Sequence, residues 1–298
     1  MKKIIYEGSN NVSKEVLDYD RNMFCINGRL IPSFFVIGIQ KCGTTTLDAI
    51  LLRFQEVSHG IKIKNERHFF DNENSNVKKY YSEFPNCGAT NIVRSYDVTP
   101  NYTNPSSESP EKIKRLYDKL GIPLNKLIFI AIVCPNSRRI PSAYHMFLHS
   151  PRHESLKAPV NDTLNKKFPF NSWFSWVMRH LELDTYSVIK RGVYDVVFGK
   201  YFEIYPQSTF LIIDNTYAFQ QEQDLSNFLA AELNLPERYV PYIHKNPGRN
   251  KKEVLSKDNL TWLQLYYNVH ERKLLEIVRK TKNVKTFPKK GFLKNWFF

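Results

Sequence analysis

The 298-residue chain has no uninterrupted apolar run near the 18 or so residues a membrane-spanning helix requires. It has four cysteines, too few for a disulfide scaffold at this length. Nor does it have the low hydrophobicity of a disordered chain, since 42% of its residues are hydrophobic and 14% aromatic. No signal peptide is visible: two lysines open the chain, but Glu7, Lys14, Glu15 and Asp18 follow at once. Internal repeats and low-complexity tracts are absent. Acidic residues are the scarce sign, 29 against 43 Lys and Arg, for a net charge of +14. That excess points to an anionic partner without choosing among nucleic acid, membrane surface, nucleotide and acidic polysaccharide.

What is present is a globular pattern. Three short apolar runs read as buried strands: Phe34 to Ile39, Leu127 to Val133 and Thr209 to Ile213. Helical spacing follows the first (Leu47, Ile50, Leu51, Phe54) and is expected after the second, over Ser142 to Leu148. Further helices are expected over Ser187 to Tyr205, Gln221 to Leu233 and Asn259 to Arg279. Continuous apolar strands separated by helices predict an α/β fold: a single domain with a central, mostly parallel sheet flanked by helices. Residues 1–31 read as a peripheral N-terminal arm, 32–298 as the domain, and 150–172 as an inserted surface loop or lid. The lone cysteines read as buried small residues. The paired aromatics Tyr80-Tyr81, Trp173/Trp176 and Tyr266-Tyr267 sit in amphipathic segments, which favours core packing over a base-stacking surface for nucleic acid.

Gly38-Ile39-Gln40-Lys41-Cys42-Gly43-Thr44-Thr45 lies where the first strand feeds a helix. Backbone N–H groups of such a loop, with the helix N-terminus, can hold a phosphate. Lys41 would add a point charge and Thr44 to Thr46 hydroxyls. A glycine-bounded tight turn with no ligand has the same pattern. The nucleotide-triphosphatase loop requires Gly-Lys-Ser/Thr, whereas here Thr44 follows the second glycine directly and the lysine precedes it.

The stretch Pro32 to Leu47 resembles the 5′-phosphosulfate loop of the sulfotransferases that use 3′-phosphoadenosine 5′-phosphosulfate (PAPS), most closely the carbohydrate branch that includes the heparan sulfate enzymes. Further segments match in order. Asn65-Glu66-Arg67-His68-Phe69-Phe70 looks like the family's Lys-Glu-x-His-Phe-Phe segment. Tyr96 to Tyr102 is similar to its acidic-x-Thr/Ser-Pro-x-Tyr segment. Ile189 to Tyr194 is like its Arg-Gly-x-Tyr helix, and Asn246-Pro247-Gly248-Arg249 resembles its nucleotide loop. The resemblance runs from about Pro32 to Trp296. It implies a P-loop-like donor site made by Gln40, Lys41, Cys42, Gly43, Thr44, Thr45, Arg138, Ser142, Gly248 and Arg249. Glu66 is then expected as general base, with Lys41 and His68 as its catalytic companions and no metal.

Two positions depart from the family pattern. Cys134 stands where an arginine normally holds the 3′-phosphate, and a thiol offers none of that guanidinium's bidentate bonds. Arg138, helped by Arg249, is the expected substitute, and Arg139 matches the inner arginine. Val98 replaces a lysine common among glycan-modifying members. The function implied is sulfuryl transfer from PAPS to a hydroxyl or amine of a carbohydrate-type acceptor. Two other readings stay open: a weakly active or inactive sulfotransferase-fold protein that binds polyanions, and a nucleotide-dependent kinase. The expected partners are a small-molecule nucleotide donor and a glycan or hydroxylated acceptor, with neither nucleic acid nor a membrane span. As written the chain is expected to be soluble, cytoplasmic or, if an anchor is missing, Golgi luminal.

Overall fold

In a computed structural model of the chain, residues 16–18, 22–60, 66–73, 75–88, 91–148, 170–179, 188–238, 254–294 and 296 are described. The strands are β1 (Val16–Asp18), β2 (Met23–Ile26), β3 (Arg29–Gly38), β4 (Val57–Ser58), β5 (Arg94–Val98), β6 (Ile128–Val133), β7 (Thr209–Asp214) and β8 (Val284–Phe287). The helices are α1 (Thr44–Leu51), α2 (Val77–Ser82), α3 (Ser109–Lys119), α4 (Asn136–Leu148), α5 (Phe170–Arg179), α6 (Tyr194–Ile204), α7 (Asn215–Ala218), α8 (Glu222–Leu233) and α9 (Lys257–Lys280).

The pairs β4–β5, β5–β3, β3–β6, β6–β7 and β7–β8 are all parallel. Only β1–β2 and β2–β3 are antiparallel. Every residue of β6 is buried, and so is β3 beyond Arg29, which requires cover on both faces of the sheet. The molecule is therefore a single α/β domain with a mostly parallel central sheet flanked by helices. A smaller apolar cluster joins α4, α5 and α9 through Tyr144, Phe174, Leu263 and Tyr267.

Three details differ from the sequence expectations. Residues 23–31 are not a peripheral arm: β2 pairs with the start of β3, and Phe24, Ile26, Leu30 and Ile31 are buried. The helix expected from Ser187 breaks at Gly192, where a 3-10 turn (Lys190–Gly192) precedes α6. The cysteines are not lone, for all four pair as Cys25–Cys87 and Cys42–Cys134. Partners 62 and 92 residues apart are brought together by the sheet, which sequence spacing cannot reveal. Most of the expected lid, residues 150–169, lies outside the described residues, and 170–179 is α5. Tyr80, Tyr81, Trp173 and Tyr267 are core residues.

Candidate active site

The loop after β3 is held from four directions. Ile39 N–H donates to the Ile132 carbonyl (2.8 Å) and Cys42 N–H to the Ile39 carbonyl (3.0 Å). Asn215, at the start of α7, donates to the Cys42 carbonyl. The Cys42–Cys134 disulfide ties the loop to the end of β6, with a Cα separation of 5.3 Å. Tyr194 hydroxyl donates to the Cys134 carbonyl (2.8 Å). Gly43 opens α1 at φ 104°, and a Cβ there would lie 2.7 Å from the Phe219 ring, so only glycine fits. As first-turn groups, the Thr44 and Thr45 amides have no carbonyl one turn back to bond, and they face an anion-favouring helix end. Cys42, expected among the donor ligands, has its amide, carbonyl and sulfur all engaged within the protein.

Glu66 and His68 lie side by side. His68 Nε2 is 3.0 Å from Glu66 Oε2, and both side chains are about half exposed. Between them Arg67 turns inward, with its side chain 1% exposed and paired to Glu83 at 3.3 Å. The segment is not a strand: His68 has φ 50°, in the left-handed region, and this turn brings its ring back beside Glu66. The segment is fixed from β5 and the turn after it. Thr99 Oγ1 accepts from Arg67 N–H (3.0 Å) and donates to Asp97 (2.7 Å). Tyr102 hydroxyl accepts from Phe69 N–H (3.3 Å) and donates to Asp97 (2.8 Å). Asp97 is fully buried, and burial raises its carboxyl to about 6 despite hydrogen bonds from Thr99, Tyr102 and Tyr80. The acidic-x-Thr-Pro-x-Tyr segment thus works as a bracket for the segment that carries Glu66 and His68.

A polar chain joins the two halves. Arg191, itself buried, donates to Gln40 Oε1 of the loop (2.5 Å) and to Asn101 Oδ1 (2.6 Å). Asn101 donates to Asp71 Oδ2 (2.5 Å), which also meets His68 Nδ1 at 2.7 Å. Hydrogen bonds to Asp71 and Glu66 raise the imidazole of His68 to about 10, so it is imidazolium at neutral pH. Burial pushes Asp71 up, but its bonds to His68 and Asn101 outweigh this and hold it low. Burial lowers the Lys41 ammonium, partly offset by attraction to Glu66.

The other expected residues are less uniformly placed. Arg138 is exposed on the first turn of α4, and Ser142 is half-buried one turn further on the same helix. Arg139 does not face the site: it is 1% exposed and donates to Asn136 Oδ1 (2.8 Å) and the Val188 carbonyl (2.6 Å). Gly248 and Arg249 lie outside the described residues. Asp71, Asn101 and Arg191 were not expected at the site. Asp71 was legible as the third residue after His68; Arg191 and Asn101 sit inside quoted segments whose roles need the fold. Gly192 is required because a Cβ there would meet Asn136 Oδ1 at 2.1 Å. Among the described residues no group of three His, Cys, Asp or Glu is placed to hold a metal ion.

No protein-family profile and no curated protein sequence matches the chain. Among solved structures, it is similar to a sulfotransferase from Alicyclobacillus acidocaldarius. The TM-score is 0.61 at 17% identity, covering 84% of this chain and 96% of the other. The likeness is one of fold.

Proposed function

We propose that the chain is a sulfotransferase, moving a sulfuryl group from PAPS to a hydroxyl or amine of a carbohydrate-type acceptor. The observation that supports this reading is the polar chain from Gln40 of the glycine-bounded loop through Arg191, Asn101 and Asp71 to His68 beside Glu66, a half-exposed carboxylate. A P-loop-like turn alone would serve many ligands; a half-exposed carboxylate tied to it through that chain favours transfer chemistry.

The loop fits an anionic donor, since Gly43, the opening amides of α1 and Lys41 all offer positive potential to it. When bound, PAPS supplies the sulfuryl group and a phosphate leaving group. Lys41 neutralises charge developing toward that leaving group. Glu66 accepts the proton of the attacking hydroxyl or amine. His68, held as imidazolium by Asp71, offsets the repulsion between Glu66 and an anionic donor. Arg191 fixes the distance between loop and base, which matters because in-line transfer is mostly positioning. Arg138 and Ser142 of α4, the helix that follows β6, are the side chains assigned here to the 3′-phosphate. The kinase reading has no Gly-Lys-Ser/Thr to stand on. The polyanion-binding reading rests on Cys134, whose sulfur is locked in a disulfide. With all four cysteines paired, the protein suits an oxidising compartment better than the cytoplasm.

Titration with 3′-phosphoadenosine 5′-phosphate tests the donor site. At a hundredfold excess over Kd it should stabilise the fold by about 2.7 kcal/mol, which is roughly 4 °C for a chain of this length. Glu66→Gln should keep that shift and lose about 10²–10⁴ in turnover. Full turnover in the variant removes Glu66 as the base, and no shift with the nucleotide removes the donor assignment.

A further inference from the structure

Arg191 leaves the backbone in the 3-10 turn Lys190–Gly192, which bonds itself through Gly192 N–H to the Ile189 carbonyl (2.9 Å) and Val193 N–H to the Lys190 carbonyl (3.0 Å). A single such turn is too short to hold a direction unaided. Side chains from two helices impose its shape. Arg139 of α4 donates to the Val188 carbonyl (2.6 Å), Asn136 of α4 to the Gly192 carbonyl (3.1 Å) and Tyr267 of α9 to the Ile189 carbonyl (2.7 Å). These donors are themselves interlocked. Arg139 Nε donates to Asn136 Oδ1 (2.8 Å), and Asn136 hydrogen-bonds the buried Glu271 of α9.

Asn136, Arg139 and Tyr267 are each 1% exposed, so a shift of the turn would leave buried donors and carbonyls unmatched. Gly192 completes the fit. A Cβ there would lie 2.1 Å from Asn136 Oδ1 and 2.8 Å from Arg139 Nη2, so both side chains rest against bare backbone. On the other side of the turn, the Arg191 guanidinium divides between Gln40 of the loop and Asn101. A planar fork that meets two groups at once depends on where its own backbone is held.

Resting on the sulfuryl-transfer reading above, we infer that Arg139, Asn136 and Tyr267 are positioning residues for the reaction: they aim Arg191, and through it set the placement of the donor loop relative to the segment that carries Glu66. Arg139 thus acts on transfer without touching a ligand. The helix that carries Arg138 and Ser142 also carries two members of the clamp, so α4 serves the donor site twice.

The test is a double-mutant cycle on kcat/KM for transfer from PAPS to the best acceptor in a panel of neutral and sulfated oligosaccharides. Arg139→Lys keeps the charge but cannot reach Asn136 and Val188 as a fork, and should lower kcat/KM about tenfold. In the Arg191→Ala background the same change should cost less than about twofold, because the group it aims is gone. Tyr267→Phe, which removes one hydroxyl and keeps the ring, passes through the same cycle if Arg139→Lys does not fold; about a threefold loss should vanish in the same way. An equal loss in both backgrounds overturns the positioning role and reduces the clamp to a support of the fold. Undiminished kcat/KM in the variants overturns it as well. In either case a wild type that transfers sulfuryl groups and is stabilised by 3′-phosphoadenosine 5′-phosphate leaves the proposed function standing. A wild type with neither transfer nor nucleotide shift overturns that reading and the positioning role with it.

Discussion

Replacing Cys42 and Cys134 together with alanine removes the bridge between the anion-binding loop and the end of β6. The bridge closes a ring of 92 residues. In the chain-entropy description, cross-linking a ring of that size lowers the entropy of the unfolded chain by about 15.6 cal/mol/K, or about 4.6 kcal/mol at 25 °C. The second bridge, Cys25–Cys87, spans 62 residues and overlaps the first between residues 42 and 87. With part of the unfolded chain already constrained, the loss in the double variant is at most this figure, and the two bridges are not additive. At about 2.1 cal/mol/K of unfolding entropy per residue, 4.6 kcal/mol corresponds to a fall of about 7 °C in Tm. The loop also loses one of its four tethers, so the stabilisation by 3′-phosphoadenosine 5′-phosphate should shrink along with the Tm. Calorimetry of both proteins, with and without the nucleotide, reads both effects. A Tm within about 2 °C of wild type together with an undiminished nucleotide shift would refute the reasoning. It would mean that the remaining tethers from Ile132 and Asn215 and the Arg191 link already define the loop.

Two further outcomes follow from the polar chain. His68 is raised from 6.5 to about 10 by Asp71 and Glu66, so its contribution to stability is complete below about 6.5 and is lost as pH rises toward 10. Imidazole chemical shifts should accordingly show imidazolium through pH 8, and Asp71→Asn should bring the midpoint down toward 6.5; an unmoved midpoint excludes Asp71 as the cause. Arg191→Ala should cost about 10² in kcat/KM by freeing the loop from the base. Arg191→Lys should not restore it, because one ammonium on a flexible stem does not reproduce a planar bridge between Gln40 and Asn101; full activity in the lysine variant counts against the bridge.

The elements that sequence made legible are those whose chemistry is local. β3, β6 and β7 are apolar runs covered on both faces, and hydropathy finds them directly. β5 escaped because it is buried while carrying Arg94, Ser95 and Asp97. Its polarity is satisfied by distant groups: Arg94 bonds Ser33 and the Leu233 carbonyl, and Asp97 receives Tyr80 and Tyr102. No window over residues 94–98 contains those partners. The same holds at the site. The glycine-bounded loop and the Glu66-x-His68 spacing were readable in place, whereas Arg191 reaches across 151 residues to Gln40 and 90 to Asn101. Cysteine pairing failed for the same reason.

The charge count was the least local quantity of all, and the site shows why it misleads. A base that takes a proton beside an anionic donor faces two repulsions, one from the donor and one from its own carboxylate neighbours. Lys41 and His68 answer the first, and the Asp71–His68 pair answers the second, since Asp71 is itself balanced by the imidazolium it holds. Glu66 is thus left beside the His68 imidazolium, with the Lys41 ammonium attracted to it as well. The sum of +14 counts the cations in excess, and it is silent about the carboxylates Glu66 and Asp71 that His68 holds. What a ligand meets is set by the few groups within a Debye length of about 8 Å at physiological ionic strength. At that range this site has two signs, not one.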